Sequence, residues 1–226
     1  YNIDIVHARS RAPAWSCLWA CFFSRKKFVT TFHGTYNFSS KLKLFYNSVM
    51  VRSKLIIAGS NFIFNHINEN YPTYFNPAKK KLMVIFRGIN LDYFSSKNAS
   101  EKKVNELAQI WNINKNDFTI LLPGRLTKWK GQEMFIESLN LLVKNHNKNN
   151  FHAVILGSDQ GRSAYFKKLL LLVERYRLGK KITFVKSCKE MPLAYKIADI
   201  VVSSSTEPEA FGRVAVEAQA MNKPIV

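Results

Sequence analysis

Short apolar runs recur along the chain, separated by longer segments whose apolar positions return every three or four residues. The short runs predict strands at Ile3–His7, Phe28–Phe32, Leu55–Ala58, Lys81–Phe86, Thr119–Leu122, Ala153–Leu156, Ile182–Val185 and Asp199–Ser203. The longer segments predict helices at Ser60–Asn70, Glu101–Trp111, Gln132–Val143, Ser163–Tyr176 and Met191–Ala198, with Ser60 as an N-cap. Cys17 and Cys21, four apart, fall on a further helix. Strands alternating with helices predict parallel βαβ units, an α/β fold. The polar stretch Asn90–Ser100 breaks the rhythm and separates a first domain, residues 1–95, from a second, residues 96–226. Asn145–Asn150 reads as a surface loop, and Leu169-Leu170-Leu171-Leu172-Val173 as core. Tyr1–Val6 reads as a buried strand and Lys223-Pro224-Ile225-Val226 as the middle of another, so the chain is expected to be a fragment at both ends.

Composition narrows this little. At 226 residues the chain suffices for one large or two small domains. No apolar run reaches the ~18 residues of a membrane span, and no secretory signal is visible. Cys17, Cys21 and Cys188 form no disulfide framework and suit buried thiols in a reducing cytosol. The net charge of +19 comes from 34 basic and 15 acidic residues. It is spread along the chain: 13 basic against 3 acidic residues up to Ser95, and 21 against 12 beyond. A nucleic-acid-binding module would cluster its basic residues with aromatics on one element, which disfavours that class. Frequent Lys, Asn, Ile and Phe beside scarce Gly also follow from an A/T-rich genome without selection for an anionic partner.

Three polar clusters follow predicted strands. In Pro123-Gly124-Arg125-Leu126-Thr127-Lys128-Trp129-Lys130-Gly131, Arg125 and Lys130 can converge on one anion, with Gly124 and Gly131 letting the backbone turn closely. Ser204-Ser205-Thr206-Glu207-Pro208-Glu209-Ala210-Phe211-Gly212-Arg213-Val214-Ala215-Val216-Glu217 holds two glutamates eight positions apart, one before a helix start and one inside it. Free N–H groups and the positive end of the helix dipole at such a start suit a diphosphate. Glu209 then reaches sugar hydroxyls on one side and Glu217 ribose hydroxyls on the other. Phe28-Val29-Thr30-Thr31-Phe32-His33-Gly34-Thr35-Tyr36 ends a strand with His33 at its mouth. Asp4, Asp92, Asp117, Asp159 and Asp199 are isolated, so no clustered carboxylates offer a site for a hard cation.

The Glu209–Glu217 spacing with Phe211-Gly212 between resembles the E-x7-E signature of retaining glycosyltransferases of family 4 (GT4), and Gly124-Arg125 with Lys130-Gly131 resembles their G-R-x4-K-G element. The resemblance implies a GT-B fold: two Rossmann-like domains facing across a cleft, the N-terminal one incomplete and the C-terminal one truncated. It implies a glycosyltransferase of hexosyltransferase type, a nucleoside-diphosphate sugar donor, a glycan or lipid-linked acceptor, and no metal or other cofactor. The implied catalytic residues are His33, Arg125, Lys130 and Glu209. Gly124, Gly157, Lys186, Phe211, Gly212, Arg213, Val214 and Glu217 are the implied donor-binding residues. His7 and Arg9, with Arg11, are the implied acceptor side, and Arg87-Gly88 the turn into the second domain. The loop Leu156–Gly161 resembles a Gly-bearing loop near the donor, and Val185-Lys186-Ser187 the segment that holds the base through its backbone. Thr30–Asn37 followed by Pro123-Gly124-Arg125-Leu126 is similar to bacterial enzymes of lipopolysaccharide or surface-polysaccharide assembly.

A dehydrogenase needs Gly-x-Gly-x-x-Gly between a strand and a helix, and no glycines here have that spacing. An inactive product of a split or decayed gene stays open beside the intact enzyme. The expected location is cytoplasmic, with peripheral contact at the inner face of the cytoplasmic membrane through Arg25-Lys26-Lys27, Lys41 and Lys43. With no apolar anchor visible, such contact is expected to be reversed by salt.

Overall fold

Continuous apolar runs that end at a Gly or polar turn fold as parallel strands covered on both faces, and two such sheets are present in the computed structural model. Residues 2–36, 39–76, 78–146 and 148–226 are described. Tyr1 of the opening run, Asn37 of the Thr30–Asn37 run and Asn147 of the polar loop therefore lie outside the described residues. The chain divides into two compact units, Tyr1–Gly88 with Glu209–Phe211, and Ile89–Pro208 with Gly212–Val226.

The first unit carries β1 (Ile5–Ala8), β2 (Lys27–Phe32), β3 (Leu55–Ala58) and β4 (Lys81–Val84) in the order β1-β2-β3-β4, all parallel. Helices α1 (Arg11–Ser24), α2 (Lys41–Asn47) and α3 (Asn61–Asn70) connect them, with a 3-10 turn at Ser48–Val51. Ser60 caps α3 as expected, its Oγ accepting from Ile63 N at 3.3 Å. Phe28, Phe32, Ile56, Ile63, Ile67 and Tyr71 fill the core. Thr30, buried in β2, is satisfied by Met50 O at 2.6 Å and Ser53 Oγ at 2.7 Å. The opening strand departs from expectation. Ile3 and Ile5 are 50% and 56% exposed, because β1 is an edge strand of the described sheet. β4 likewise stops before Phe86, which is exposed.

In the second unit, β5 (Phe118–Pro123), β6 (Phe151–Leu156), β7 (Ile182–Val185) and β8 (Ile200–Val201) lie in the order β7-β6-β5-β8, again parallel. Helices α4 (Glu101–Ile110), α5 (Gln132–His146), α6 (Ser163–Arg175), α7 (Met191–Ile197) and α8 (Arg213–Ala220) complete it. Alternate strand residues serve two cores. Leu121, Val154, Leu156 and Val201 pack with Tyr195, Ala198 and Ala218 on one side. Ile120, Leu122, Ala153 and Ile155 pack with Ile136, Leu139 and Leu169 on the other. β8 is shorter than the expected Asp199–Ser203. Beyond it the chain pairs with the C-terminal segment, Val201 N donating to Pro224 O and Ser203 N to Val226 O. α5 runs on to His146, so Asn145 and His146 belong to a helix and not to a loop. After β7 the chain returns past β6 and β5 to lay down β8, so the strand order reverses at β5 and β8. In open parallel sheets that switch point, at the strand C-termini, is where ligands bind.

Candidate active site

The loops leaving β5 and β8 meet at this switch point. Leu126 and Thr127, 3% and 8% exposed, pin the β5 loop, leaving Arg125 exposed and Lys130 half-buried. The chain then turns through a 3-10 segment, Lys128–Lys130, to Gly131 at φ +69°, where a Cβ would stand 1.8 Å from Ser204 O. Only glycine fits there, in backbone angle and in space. Ser204 Oγ donates to Lys130 O at 3.0 Å and Thr206 N to Trp129 O at 2.8 Å, tying the β8 loop to the cationic one. Lys130 Nζ stands 4.5 Å from the Trp129 ring centroid. The expectation for Gly124 needs correction. The close approach there belongs to Gly157, whose Cβ would meet Gly124 O at 1.9 Å. Gly157 thus seats the β6 exit against the β5 loop.

Gln132, at the start of α5, had no place in the sequence reading. It is fully buried, donates from Nε2 to Arg125 O at 2.9 Å, and accepts at Oε1 from the Tyr165 hydroxyl at 3.3 Å. Gln132 therefore braces the backbone that carries Arg125. Burial pushes the Tyr165 phenol up to about 12, which keeps it a donor. At the end of β7, Lys186 is exposed and lines a groove of about 520 Å³ with Ser187, Cys188, Leu107 and Trp111.

Gly212 is the N-cap of α8, and Arg213 and Val214 form its first turn. N–H groups in a first turn have no partner within the helix and face the incoming chain end. Glu217, one turn further, is 6% exposed. The fully buried Tyr195 donates its hydroxyl to Glu217 Oε2 at 2.7 Å. Arg213 donates to Oε1 from Nε at 3.1 Å and from Nη2 at 2.7 Å. Burial, then the neighbouring Glu217 carboxylate, raises the Tyr195 pKa far above its ordinary value and holds the phenol protonated. The sequence offered no sign of this anchor, since Tyr195 sits inside an apolar helix stripe. Glu209, Ala210 and Phe211 belong to the first unit.

In the first unit, Arg9 follows β1 and His33 follows β2, the strand beside it. Arg9 Nε donates to His33 Nε2 at 3.1 Å. Nε2 therefore accepts, which puts the ring proton on Nδ1. His33 Nδ1 is shielded from solvent and has no hydrogen-bond partner among the described residues. His7 is held by Thr31, Nε2 to Oγ1 at 2.7 Å. Arg11, expected on the acceptor side, instead donates to Asn47 Oδ1 at 2.8 Å and lies 4.4 Å over the Tyr36 ring. Among the described residues no group of three or more His, Cys, Asp or Glu side chains is placed to hold a metal ion, and no helix is long and apolar enough to cross a membrane.

Two parallel α/β sheets of this kind, one carrying a cationic loop and a glutamate helix at its switch point, define part of a GT-B glycosyltransferase. The chain belongs to the glycosyl transferases group 1 family, whose model matches residues 103–226, and the Glycosyltransferase Family 4 model matches residues 1–93. An uncharacterized glycosyltransferase of Methanocaldococcus jannaschii, MJ1607, is 34% identical over 164 residues, 71% of this chain and 39% of that protein. The crystal structure of a glycosyltransferase from Rickettsia africae is 38% identical with a TM-score of 0.84, covering 100% of this chain and 57% of that one. The Anabaena protein HepE in complex with UDP-glucose is 24% identical with a TM-score of 0.85, covering 98% of this chain and 58% of that one, and shows the fold alone. The chain thus spans from about two fifths to little more than half of these relatives.

Proposed function

We propose that this protein transfers a sugar from a nucleoside-diphosphate donor to a glycan or lipid-linked acceptor, with retention and without a metal, in assembly of a cell-envelope polysaccharide or lipopolysaccharide. The observation that carries the reading is the stitching of the Arg125–Lys130 loop to the segment that leads into α8, at the switch point of the second sheet. Arg125 and Lys130 neutralise the diphosphate as the bond from the sugar C1 to the phosphate oxygen breaks. Phe211, Gly212, Arg213 and Val214 present backbone N–H groups to the same diphosphate, with Gly157 keeping the strand exits low enough for it to dock. Fixed cations and dipoles of this kind favour the charge that develops in the transition state. They do the work a divalent ion does in other transferases.

Glu217 receives ribose hydroxyls. Arg213 fills Oε1 with two donated bonds, while Oε2 keeps a lone pair after Tyr195 has donated, so the anchor and the ribose share the group. Glu209 holds hydroxyls of the transferred sugar, and His33, protonated at Nδ1, contacts that sugar near C1. Lys186 lies in the segment that takes the base through its backbone. His7 and Arg9 stand on the acceptor side, at the inner face of the cytoplasmic membrane. The acceptor hydroxyl attacks C1 from the face the phosphate leaves, its proton passing to the departing phosphate oxygen. No covalent enzyme intermediate is required.

Incubation with a panel of nucleoside-diphosphate sugars and simple alcohols, with and without EDTA, tests this by product NMR. The expected outcome is a product with the donor's anomeric configuration at a rate EDTA does not change. An inverted product, or loss of turnover in EDTA, refutes the mechanism.

A further inference from the structure

Helix α1, Arg11-Ala12-Pro13-Ala14-Trp15-Ser16-Cys17-Leu18-Trp19-Ala20-Cys21-Phe22-Phe23-Ser24, is apolar almost all the way round. Such a helix is ordinarily buried on all sides. Ala14, Cys17, Leu18 and Cys21 do face the core of the first unit. A second set, Trp19, Phe22 and Phe23, lies about two fifths of the circumference away at 100° per residue. These three rings are 54%, 70% and 78% exposed. They contact one another, with centroids 6.3 Å apart for Trp19 and Phe22, 6.4 Å for Trp19 and Phe23, and 5.5 Å for Phe22 and Phe23. Trp15, one turn earlier and half-buried against the core, joins the patch to Phe45 at 5.6 Å, beside the 81% exposed Leu42 of α2.

Charge borders this patch at both ends. Arg25, Lys26 and Lys27 follow Phe23 after Ser24 and are all exposed, and Lys41 and Lys43 flank Leu42. Residues 1–88 hold 13 basic residues against Asp4 and Glu69 alone. Exposed aromatic rings bordered by cations match an anionic bilayer interface, where rings enter the headgroup–acyl boundary and cations stay among phosphates.

We infer that the outer face of α1, centred on Trp19, Phe22 and Phe23 and bordered by Arg25–Lys27, docks on an anionic phospholipid surface. The apolar anchor that the sequence reading expected to be missing is present. Association therefore has a part that salt does not reverse. The inference rests on the membrane-side placement of the acceptor proposed above, and its test uses neither donor nor acceptor, so each can fail separately.

The test is flotation of the chain with vesicles of phosphatidylcholine alone or mixed with phosphatidylglycerol, at low and high salt. The wild type should float with the mixed vesicles, and high salt should reduce that binding without abolishing it. The combined variant Trp19→Ser, Phe22→Ser, Phe23→Ser should lose about tenfold or more in partitioning. Arg25→Gln, Lys26→Gln, Lys27→Gln should lose on the order of a hundredfold on mixed vesicles, from the contribution of each cation near such a surface. Far-UV circular dichroism checks the fold of each variant. Should the triple serine chain misfold, Phe23→Ser alone, at the most exposed ring, should still bind several-fold more weakly. The inference is overturned if the wild type does not float, or if the serine variants float like the wild type. It is equally overturned if the serine variant turns a dimer into a monomer while vesicle binding is unchanged, since the patch would then be a contact between copies.

Discussion

Replacing Tyr195 by Phe removes one oxygen from a fully buried ring and leaves its packing in place. The hydroxyl's partner is Glu217 Oε2, 2.7 Å away on a carboxylate that is only 6% exposed. Without it Oε2 loses its donor, while Arg213 still holds Oε1. A hydrogen bond to a charged group contributes about 1.5–3 kcal/mol, and a buried polar atom left unpaired costs about 1–3 kcal/mol. We expect Tyr195→Phe to destabilise the second unit by about 2 kcal/mol, or about 4–8 °C in Tm for a chain of this length. Urea and thermal unfolding measure this directly. A double-mutant cycle with Glu217→Gln should return a coupling of about 1 kcal/mol or more, as for residues in one network. Because Tyr195 acts only by orienting Glu217, the variant should also bind a nucleoside diphosphate several-fold more weakly and keep its turnover at saturating donor. Wild-type stability in Tyr195→Phe, or strict additivity with Glu217→Gln, would refute the anchor.

Gly157→Ala puts a methyl group 1.9 Å from Gly124 O, and the resulting backbone shift should cost about 1–3 kcal/mol in stability and weaken nucleoside-diphosphate binding, read by denaturation and calorimetry. Lys130→Ala should remove about 2–4 kcal/mol of transition-state stabilisation while leaving the melting curve in place, a split that kcat/KM and Tm measured together will show. Burial raises the phenols of Tyr71 and Tyr165 to about 12 and that of Tyr195 further, so the folded chain holds protons that the unfolded chain releases near pH 10. Stability should therefore be full below about pH 10 and fall as pH rises toward the folded values, with these tyrosines, and Tyr36 which burial also raises, late in an ultraviolet titration. Burial lowers the pKa of His66 and His152 from 6.5, so at the acid end stability is present above that value and lost as pH falls through the depressed ones, which denaturation at pH 5 against pH 8 will show.

The parallel strands were legible because a strand buried on both faces needs an apolar run, and most of these runs are short and end at a Gly or polar turn. Ser60 was legible as a cap because a cap is local: its oxygen meets an N–H three residues on. α2 and its 3-10 turn escaped. Lys41-Leu42-Lys43-Leu44 alternates with period two, and neither Gly nor Pro marks where Asn47 passes into Ser48–Val51. The two supports of the candidate site escaped for a different reason. Gln132 and Tyr195 act on Arg125 and Glu217, seven and 22 positions away, through bonds that exist only once β5, α5, α7 and α8 are packed. Glu217 itself was legible, but its burial and its two partners were not. The aromatic face of α1 was hidden by its own composition, since an all-apolar helix does not say which of its sides meets the sheet.

The central claim is that the exits of β5 and β8 hold a nucleoside diphosphate without a metal. Calorimetric titration of UDP, GDP, ADP and dTDP into the chain, in EDTA, tests it most directly. At least one should bind saturably at a single site, and both Lys130→Ala and Glu217→Gln should weaken that binding about tenfold or more, as loss of a charge-assisted bond requires. Binding that appears only when a divalent ion is added, or that both variants leave unchanged, would contradict the account.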